Sequence, residues 1–286
     1  MNNVVFENGL TRITSAKNFL PEQVFDCGQC FRFDKNTDGN YFGVANGKYI
    51  EIEKNGEDIL LHNCSEDDYN KIFRDFFDLD FDYSAILTDI PEDETLKKAS
   101  SFGSGIRILH QDNWEALCSF IISQNNNIPR IKGIIRNLCE KYGDPVYTDK
   151  SGVVHYSFPD AETVARAGES GMAELRTGFR AKYIYDAASK VASGSIDLNA
   201  PYDMSYADGA NYLQQIKGVG LKVASCVLLF SYRKYDAFPV DVWVKKILQK
   251  YYDGKVGAEY FGKYAGLCQQ YLFYYERCEN NVFLNR

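Results

Sequence analysis

The sequence predicts an α+β protein, an N-terminal antiparallel β-sheet domain followed by a larger all-α domain, and three observations carry that prediction. First, the segment CFRFDKNTDGNYFGVANGKYIEIEKNGEDILLHN contains Asp38-Gly39, Asn46-Gly47 and Asn55-Gly56, each between short runs rich in aromatic and β-branched residues. Such dipeptides suit the positive φ of tight hairpin turns, so the segment reads as an antiparallel meander. Second, past about residue 100 the apolar spacing changes to a helical period. Third, 286 residues with 45% apolar and 25% charged side chains suffice for one large or two medium domains with a sizeable core. The division expected is 1–100 for the β domain and 101–286 for the helical one.

The elements follow in order. After the meander comes an acidic stretch, SEDDYNKIFRDFFDLDFDYSAIL, and PEDET at 91–95 reads as a helix start or a connector. Trp114 to Ile122 reads as a buried helix, broken by Gln124-Asn125-Asn126-Asn127. Asn127 suits the cap of the next helix, with Pro129 in its first turn and Gly143 beyond its end. Further helices are expected at 160–168, 180–192, 205–217, 221–231, 241–251 and 258–275. No low-complexity segment and no repeat of fixed period interrupts them.

Composition excludes several classes. The N-terminal MNNVVFENGL lacks a basic segment followed by an apolar one, and the longest apolar runs are far below a membrane span. An intracellular protein without a membrane partner is expected, monomeric, its eight cysteines reduced. Its three histidines, His62, His110 and His155, form no zinc-type cluster, and Cys27-Gly-Gln-Cys30 has no second CxxC to complete a metal site. The net charge of −7 is uneven. Residues 1–100 carry 10 Lys+Arg against 20 Asp+Glu, whereas 101–286 carry 22 against 19. The helical part is therefore compatible with a phosphate-binding face.

The chemistry-bearing stretch is Leu213-Gln-Gln-Ile-Lys-Gly-Val-Gly-Leu-Lys-Val-Ala-Ser-Cys-Val-Leu-Leu-Phe230. Two helices joined by Lys217-Gly218-Val219-Gly220 make a helix-hairpin-helix at about 208–231, whose glycines allow a tight turn and leave N–H groups open to a phosphate. The GxxxxGK[ST] of a P-loop is absent. Lys222 stands in the first turn of the second helix, where the macrodipole disfavours a cation. Such a site, if shielded from water, favours a neutral, nucleophilic amine; an ordinary lysine there would simply snorkel to solvent. Lys222, Cys226 and Phe230 fall at i, i+4 and i+8 on one face. Asp241 follows in Phe238-Pro-Val-Asp241, either a plain N-cap or a partner of the lysine.

The combination LQQIKGVGLKVASC and AFPVDVWVKKI resembles the helix-hairpin-helix DNA glycosylase superfamily, with its hairpin and a Gly/Pro loop (238–241) ending in aspartate. GQCFRF at 28–33, ISQNNNIPRIKGIIRNLCEKYG at 122–143, GFRAKYI at 178–184 and AGLCQQYLF at 265–273 are similar to segments of the 8-oxoguanine DNA glycosylase/AP lyases, over nearly the whole chain. Endonuclease III, a relative, ends in a four-cysteine iron–sulfur cluster; here only Cys268 and Cys278 follow Asp241.

The resemblance implies base excision repair of double-stranded DNA carrying 8-oxoguanine opposite cytosine, in the cytoplasm and nucleoid or in the nucleus. It implies catalysis by Lys222 and Asp241. Base recognition would fall to the Gly28 carbonyl, Cys226, Gln269 and Phe273, with Phe230, Ser123 and Ile128 beside them. Asn125 would fill the vacated stack, Arg130 and Arg180 would bind the orphaned cytosine, and Phe179 would wedge next to it. Gly218, Gly220 and Trp243 would meet the DNA backbone. No metal or organic cofactor is required for catalysis, and a structural monovalent or calcium ion is expected at the Ile216 and Val219 carbonyls. Three residues depart from the family pattern: Trp243 stands for a histidine, Phe230 for a methionine and Phe179 for a tyrosine. A glycosylase for another base, or a non-catalytic DNA-binding module, are the competing readings.

Overall fold

The computed structural model describes residues 3–279. Strands β1 (Asn3–Glu7), β2 (Leu10–Thr14), β3 (Phe33–Lys35), β4 (Tyr41–Ala45), β5 (Lys48–Asn55) and β6 (Asp58–His62) form one sheet in the order β1-β2-β6-β5-β4-β3. Every pairing is antiparallel. β3 to β6 are the meander the turn dipeptides predict. Asn46 and Gly47 both take positive φ, 48° and 73°, as a type I′ turn demands. A fourth such pair, Asn8 (41°) and Gly9 (82°), joins β1 to β2 and went unread because it lies upstream of the alternating stretch.

One face of the sheet is closed by α1 (Pro21–Asp26), α2 (Glu66–Asp68), a π-helical turn (Tyr69–Phe73) and α3 (Arg74–Phe76). Ile13, Ile50, Ile52, Ile59 and Leu61 pack there against Phe25, Phe33, Phe73 and Phe77. Phe25 and Phe33 stack at 4.2 Å, a favourable aromatic geometry.

α4 (Tyr83–Ile86) and α5 (Glu94–Phe102) send Tyr83, Ile86, Leu96 and Ala99 into the larger core, so residue 100 falls inside a helix. PEDET proves to be a helix start: the Asp93 carboxylate accepts from the Leu96 N–H at 2.7 Å. An extended segment, 104–112, then runs along the seam between the two cores. Ile106 and Ile108 turn to the helical core and Leu109 to the sheet core, the alternation of extended backbone.

The remaining helices are α6 (Asn113–Ser123), α7 (Ile128–Tyr142), α8 (Ala161–Glu174), α9 (Ala181–Ala192), α10 (Tyr206–Leu213), α11 (Leu221–Tyr232), α12 (Val242–Tyr252), α13 (Ala258–Phe261) and α14 (Ala265–Glu279). α6 is buried all round and packs on α11. Asn127 caps α7 as expected, accepting from the Arg130 N–H at 3.0 Å. α8 outruns its expected end through a kink at Gly168 (φ 71°), and the expected 258–275 helix is split at Gly262 (φ 67°). The hairpin of β7 (Pro145–Thr148) and β8 (Val154–Tyr156) was not anticipated; Tyr147 stacks on Tyr49 of β5 at 4.2 Å. Among the described residues no helix is long and apolar enough to cross a membrane.

Arg32, just before β3, bolts the sheet to the helices: it donates to the Tyr156 carbonyl at 2.7 Å and to the Cys139 thiol, and its Nε lies 3.9 Å from the Glu115 carboxylate. Burial pushes Glu115 up from 4.5 to about 7, against the pull of Arg32. A carboxyl raised on folding holds its proton more tightly in the folded chain. Its contribution to stability therefore declines as pH rises from about 4.5 to about 7, by up to about 3 kcal/mol. Glu115→Gln is expected to flatten that window in denaturant titrations at pH 5 and pH 8; an unchanged pH dependence would contradict the assignment.

Candidate active site

The hairpin between α10 and α11 is built around Gly218, whose φ of +81° suits glycine and whose Cα faces the ring of Tyr183 so closely that a Cβ would collide with it. Asp186 and Lys190 of α9 brace the turn, accepting from the Lys217 N–H at 2.8 Å and donating to the Gln215 carbonyl at 2.7 Å. Gly220 is the N-cap of α11 and offers no side-chain cap. The first amides of α11 are thus left to an external acceptor such as a phosphate oxygen.

Lys222 is half-buried in that first turn. Its Nζ lies 5.8 Å from the centroid of the Phe120 ring, and its side chain reaches Cys226, one turn on. Burial pushes the Cys226 thiol up, while the Lys222 charge draws it back and the Asp241 charge adds to the rise. Lys222, Cys226 and Asp241 therefore share one electrostatic neighbourhood. Asp241 is also the N-cap of α12: a single oxygen, Oδ1, accepts from Trp243 N–H at 2.9 Å and Val244 N–H at 2.8 Å. The two readings of this aspartate are compatible, because the cap uses only one of its oxygens.

Gly28 follows α1 with φ +84°, and a Cβ built on it would sit 3.6 Å from Cε1 of Phe273 on α14. Gln269, one turn before Phe273 on α14, is buried, with its Oε1 accepting from Gln270 at 2.9 Å. Ser123 donates back to the Phe120 carbonyl at 2.8 Å, and Ile128 packs half-buried at the start of α7.

On the neighbouring rim Asn125 is exposed in the left-handed region (φ 47°). Phe179 is 49% exposed, edge-on to Tyr183 at 6.0 Å. Leu221 is 57% exposed at the start of α11. Phe179 meets the hairpin through Tyr183, whose ring packs on Gly218. The Lys246 ammonium sits 4.4 Å above the Trp243 ring. Among the described residues no group of three or more His, Cys, Asp and Glu is placed to hold a metal.

Comparison with known proteins agrees with this geometry. Residues 12–117 match the N-terminal domain of the 8-oxoguanine DNA glycosylases, and 118–257 match the HhH-GPD superfamily of base excision DNA repair proteins. The structure of the Clostridium acetobutylicum 8-oxoguanine glycosylase/lyase, in complex with double-stranded DNA containing cytosine opposite 8-oxoG, superposes with a TM-score of 0.93 at 39% identity, over 98% of this chain and 99% of that one. The chain belongs to the 8-oxoguanine DNA glycosylases of the HhH-GPD superfamily. A Saccharomyces cerevisiae N-glycosylase/DNA lyase is 36% identical over 68% of this chain, which spans only 55% of that protein's length. The Arabidopsis thaliana N-glycosylase/DNA lyase OGG1 is 27% identical over 92% of this chain and 78% of its own.

Phe230 and Arg180, two of the expected site residues, are buried within this glycosylase fold. Phe230 shares the helical face of Lys222 and is 2% exposed, stacked on Phe120 at 5.4 Å. The residue under the lysine is Phe120, which an all-apolar helix gave no periodic reason to single out. Arg180 is held by the loop that carries Asn125. It is buried, donating to the carbonyls of Gln124, Asn125 (2.8 Å) and Thr177 (3.1 Å), with its guanidinium 4.4 Å from the Phe179 ring. It holds the 124–125 loop in place, and desolvation and the Arg130 charge lower its pKa. Arg130 is exposed, donating to the Arg176 carbonyl at 3.3 Å.

Proposed function

We propose that this protein is a bifunctional DNA glycosylase that excises 8-oxoguanine opposite cytosine from duplex DNA and then cuts the strand as an AP lyase. The observation that carries this reading is the convergence of Lys222, Cys226 and Asp241 in one electrostatic neighbourhood, in a chain of this family.

A damaged base inside a duplex is out of reach, so the nucleotide is rotated out at a cost of a few kcal/mol. Asn125, whose backbone already occupies an unusual conformation, fills the gap, with Phe179 wedged alongside. Arg130 and Arg180 meet the orphaned cytosine, the latter once its guanidinium turns from the loop carbonyls. The purine enters between Phe273 and Cys226, and Gln269 reads its Watson–Crick edge. 8-Oxoguanine carries an N7–H donor where guanine has an acceptor, so the Gly28 carbonyl attracts the lesion and repels the normal base.

Lys222, unprotonated at the moment of attack, bonds through Nζ to C1′ as the C1′–N9 bond breaks and the purine leaves with the electron pair. Opening of the sugar ring gives a Schiff base. Loss of a proton from C2′ then expels the 3′ phosphate oxygen by β-elimination. The Asp241 carboxylate stabilises positive charge developing at the sugar, as in glycoside hydrolysis. This route needs no catalytic cofactor. The hairpin amides, Gly218, Gly220 and the exposed edge of Trp243 serve the phosphates. The Ile216 and Val219 carbonyls would hold a structural cation, which would help to neutralise a phosphate; the Ile216 oxygen accepts the Val219 N–H at 3.0 Å and keeps a second lone pair.

Duplexes containing 8-oxoguanine, an alkylated purine or thymine glycol separate this from the other glycosylase chemistries. Excision of 8-oxoguanine is expected to exceed the others by at least about tenfold, the worth of one well-placed hydrogen bond at a buried site. Preference for the pyrimidine lesion would defeat the substrate assignment.

A further inference from the structure

We infer that Gln111 and Gln29 are positioning residues for lesion discrimination: together they tie the Gly28 turn to the helix that carries Lys222. The inference rests on the assignment of the Gly28 carbonyl as the reader of N7–H.

Gln29 is 0% exposed. Its Nε2 donates to the carbonyls of Val24 (2.9 Å) and Arg107 (2.7 Å), and its Oε1 accepts from the Leu109 N–H at 2.8 Å. Both ends of the amide are thus spent on backbone, one partner in α1 and two in the seam segment. Gln111, 6% exposed, completes the tie in two directions. Its Nε2 donates to the Gln29 carbonyl at 2.7 Å, and its backbone N–H donates to the Phe230 carbonyl of α11 at 2.8 Å. A continuous hydrogen-bonded path therefore runs from α11 through Gln111 and Gln29 to the peptide next to Gly28.

The carbonyl of Gly28 belongs to the peptide plane shared with the Gln29 nitrogen. With the Gln29 side chain and its own carbonyl both fixed, that plane has little freedom, even though glycine at φ +84° is intrinsically permissive. Discrimination needs such rigidity. A hydrogen bond weakens steeply beyond 3.2 Å or below 120°, so a small tilt of the plane blurs the difference between a donor and an acceptor at N7. Burial adds to the effect, since fully satisfied buried networks specify a single arrangement. The Gln111 backbone bond to α11 also fixes the reader relative to the nucleophile.

The test uses the full chain with Gln111→Met, which keeps the side-chain length and the backbone bond to Phe230 while deleting the donor to Gln29. Single-turnover excision of 8-oxoguanine opposite cytosine is compared with cleavage of the same duplex carrying a preformed abasic site, which has no base to read. Excision is expected to fall about tenfold, the worth of a hydrogen bond misaligned at a buried site, with abasic-site cleavage changed less than about twofold. Gln111→Glu, which puts an acceptor against the Gln29 carbonyl, is expected to give the same split and covers the case in which the methionine variant folds poorly. Unchanged excision, or an equal fall in both activities, overturns the inference. If the unsubstituted protein cleaves abasic DNA but leaves 8-oxoguanine in place, the substrate reading itself has failed and the inference falls with it.

Discussion

Lys222→Gln is expected to abolish borohydride trapping of a covalent complex on 8-oxoguanine DNA and to remove strand cleavage with it. Loss of a covalent nucleophile costs on the order of 10⁴-fold or more, and neither Cys226 nor Asp241 replaces an amine. The fold should be indifferent to the change. Glutamine matches lysine in helix propensity, the residue is only half-buried, and removing a cation from the first turn of α11 relieves an unfavourable interaction with the helix dipole of about 0.3–1 kcal/mol. The variant should therefore melt at the same temperature as the parent or slightly above it. That pairing, greater stability with no chemistry, is the mark of a residue placed for reaction against local electrostatic preference. An adduct that persists in the variant would assign the attack to another amine.

Asp241→Asn separates the two functions of a single side chain. Asparagine caps a helix as well as aspartate does, so the bonds to Trp243 and Val244 can survive through its carbonyl oxygen and thermal stability should stay within about 0.5 kcal/mol. The negative charge that faces Lys222 and Cys226 is gone. Excision is expected to fall by about 10² to 10³-fold, the magnitude typical of a preorganised electrostatic group. Asp241→Ala should show the same loss of activity together with about 1 kcal/mol of destabilisation from the missing cap. Normal excision by the asparagine variant would reduce Asp241 to a structural cap.

These two residues were legible because their signals are local. Glycines at 218 and 220 announce the turn, Lys222 follows at the helix start, and Phe238-Pro-Val-Asp241 announces the next cap. The meander was legible for the same reason, through three turn dipeptides, and Asn127 through its position before Pro129. α5 was not: Glu94–Phe102 offers few apolar positions, and only the packing of Leu96 and Ala99 against the helical core assigns it.

The sequence by itself determined the hairpin turns, the caps and the i, i+4 pairing of Lys222 with Cys226, because these depend on backbone preferences spanning a few residues, and its resemblance to a known family gave them their chemistry. The tertiary structure alone decided which of these groups face open space. It buried Phe230 and put Phe120 beneath the amine, turned Arg180 onto the 124–125 loop, and brought Gly28 against Phe273 with Gln29 and Gln111 behind it. Burial and long-range hydrogen bonding depend on how distant segments pack, and in helices as uniformly apolar as α6 and α11 no spacing encodes which side will meet which neighbour.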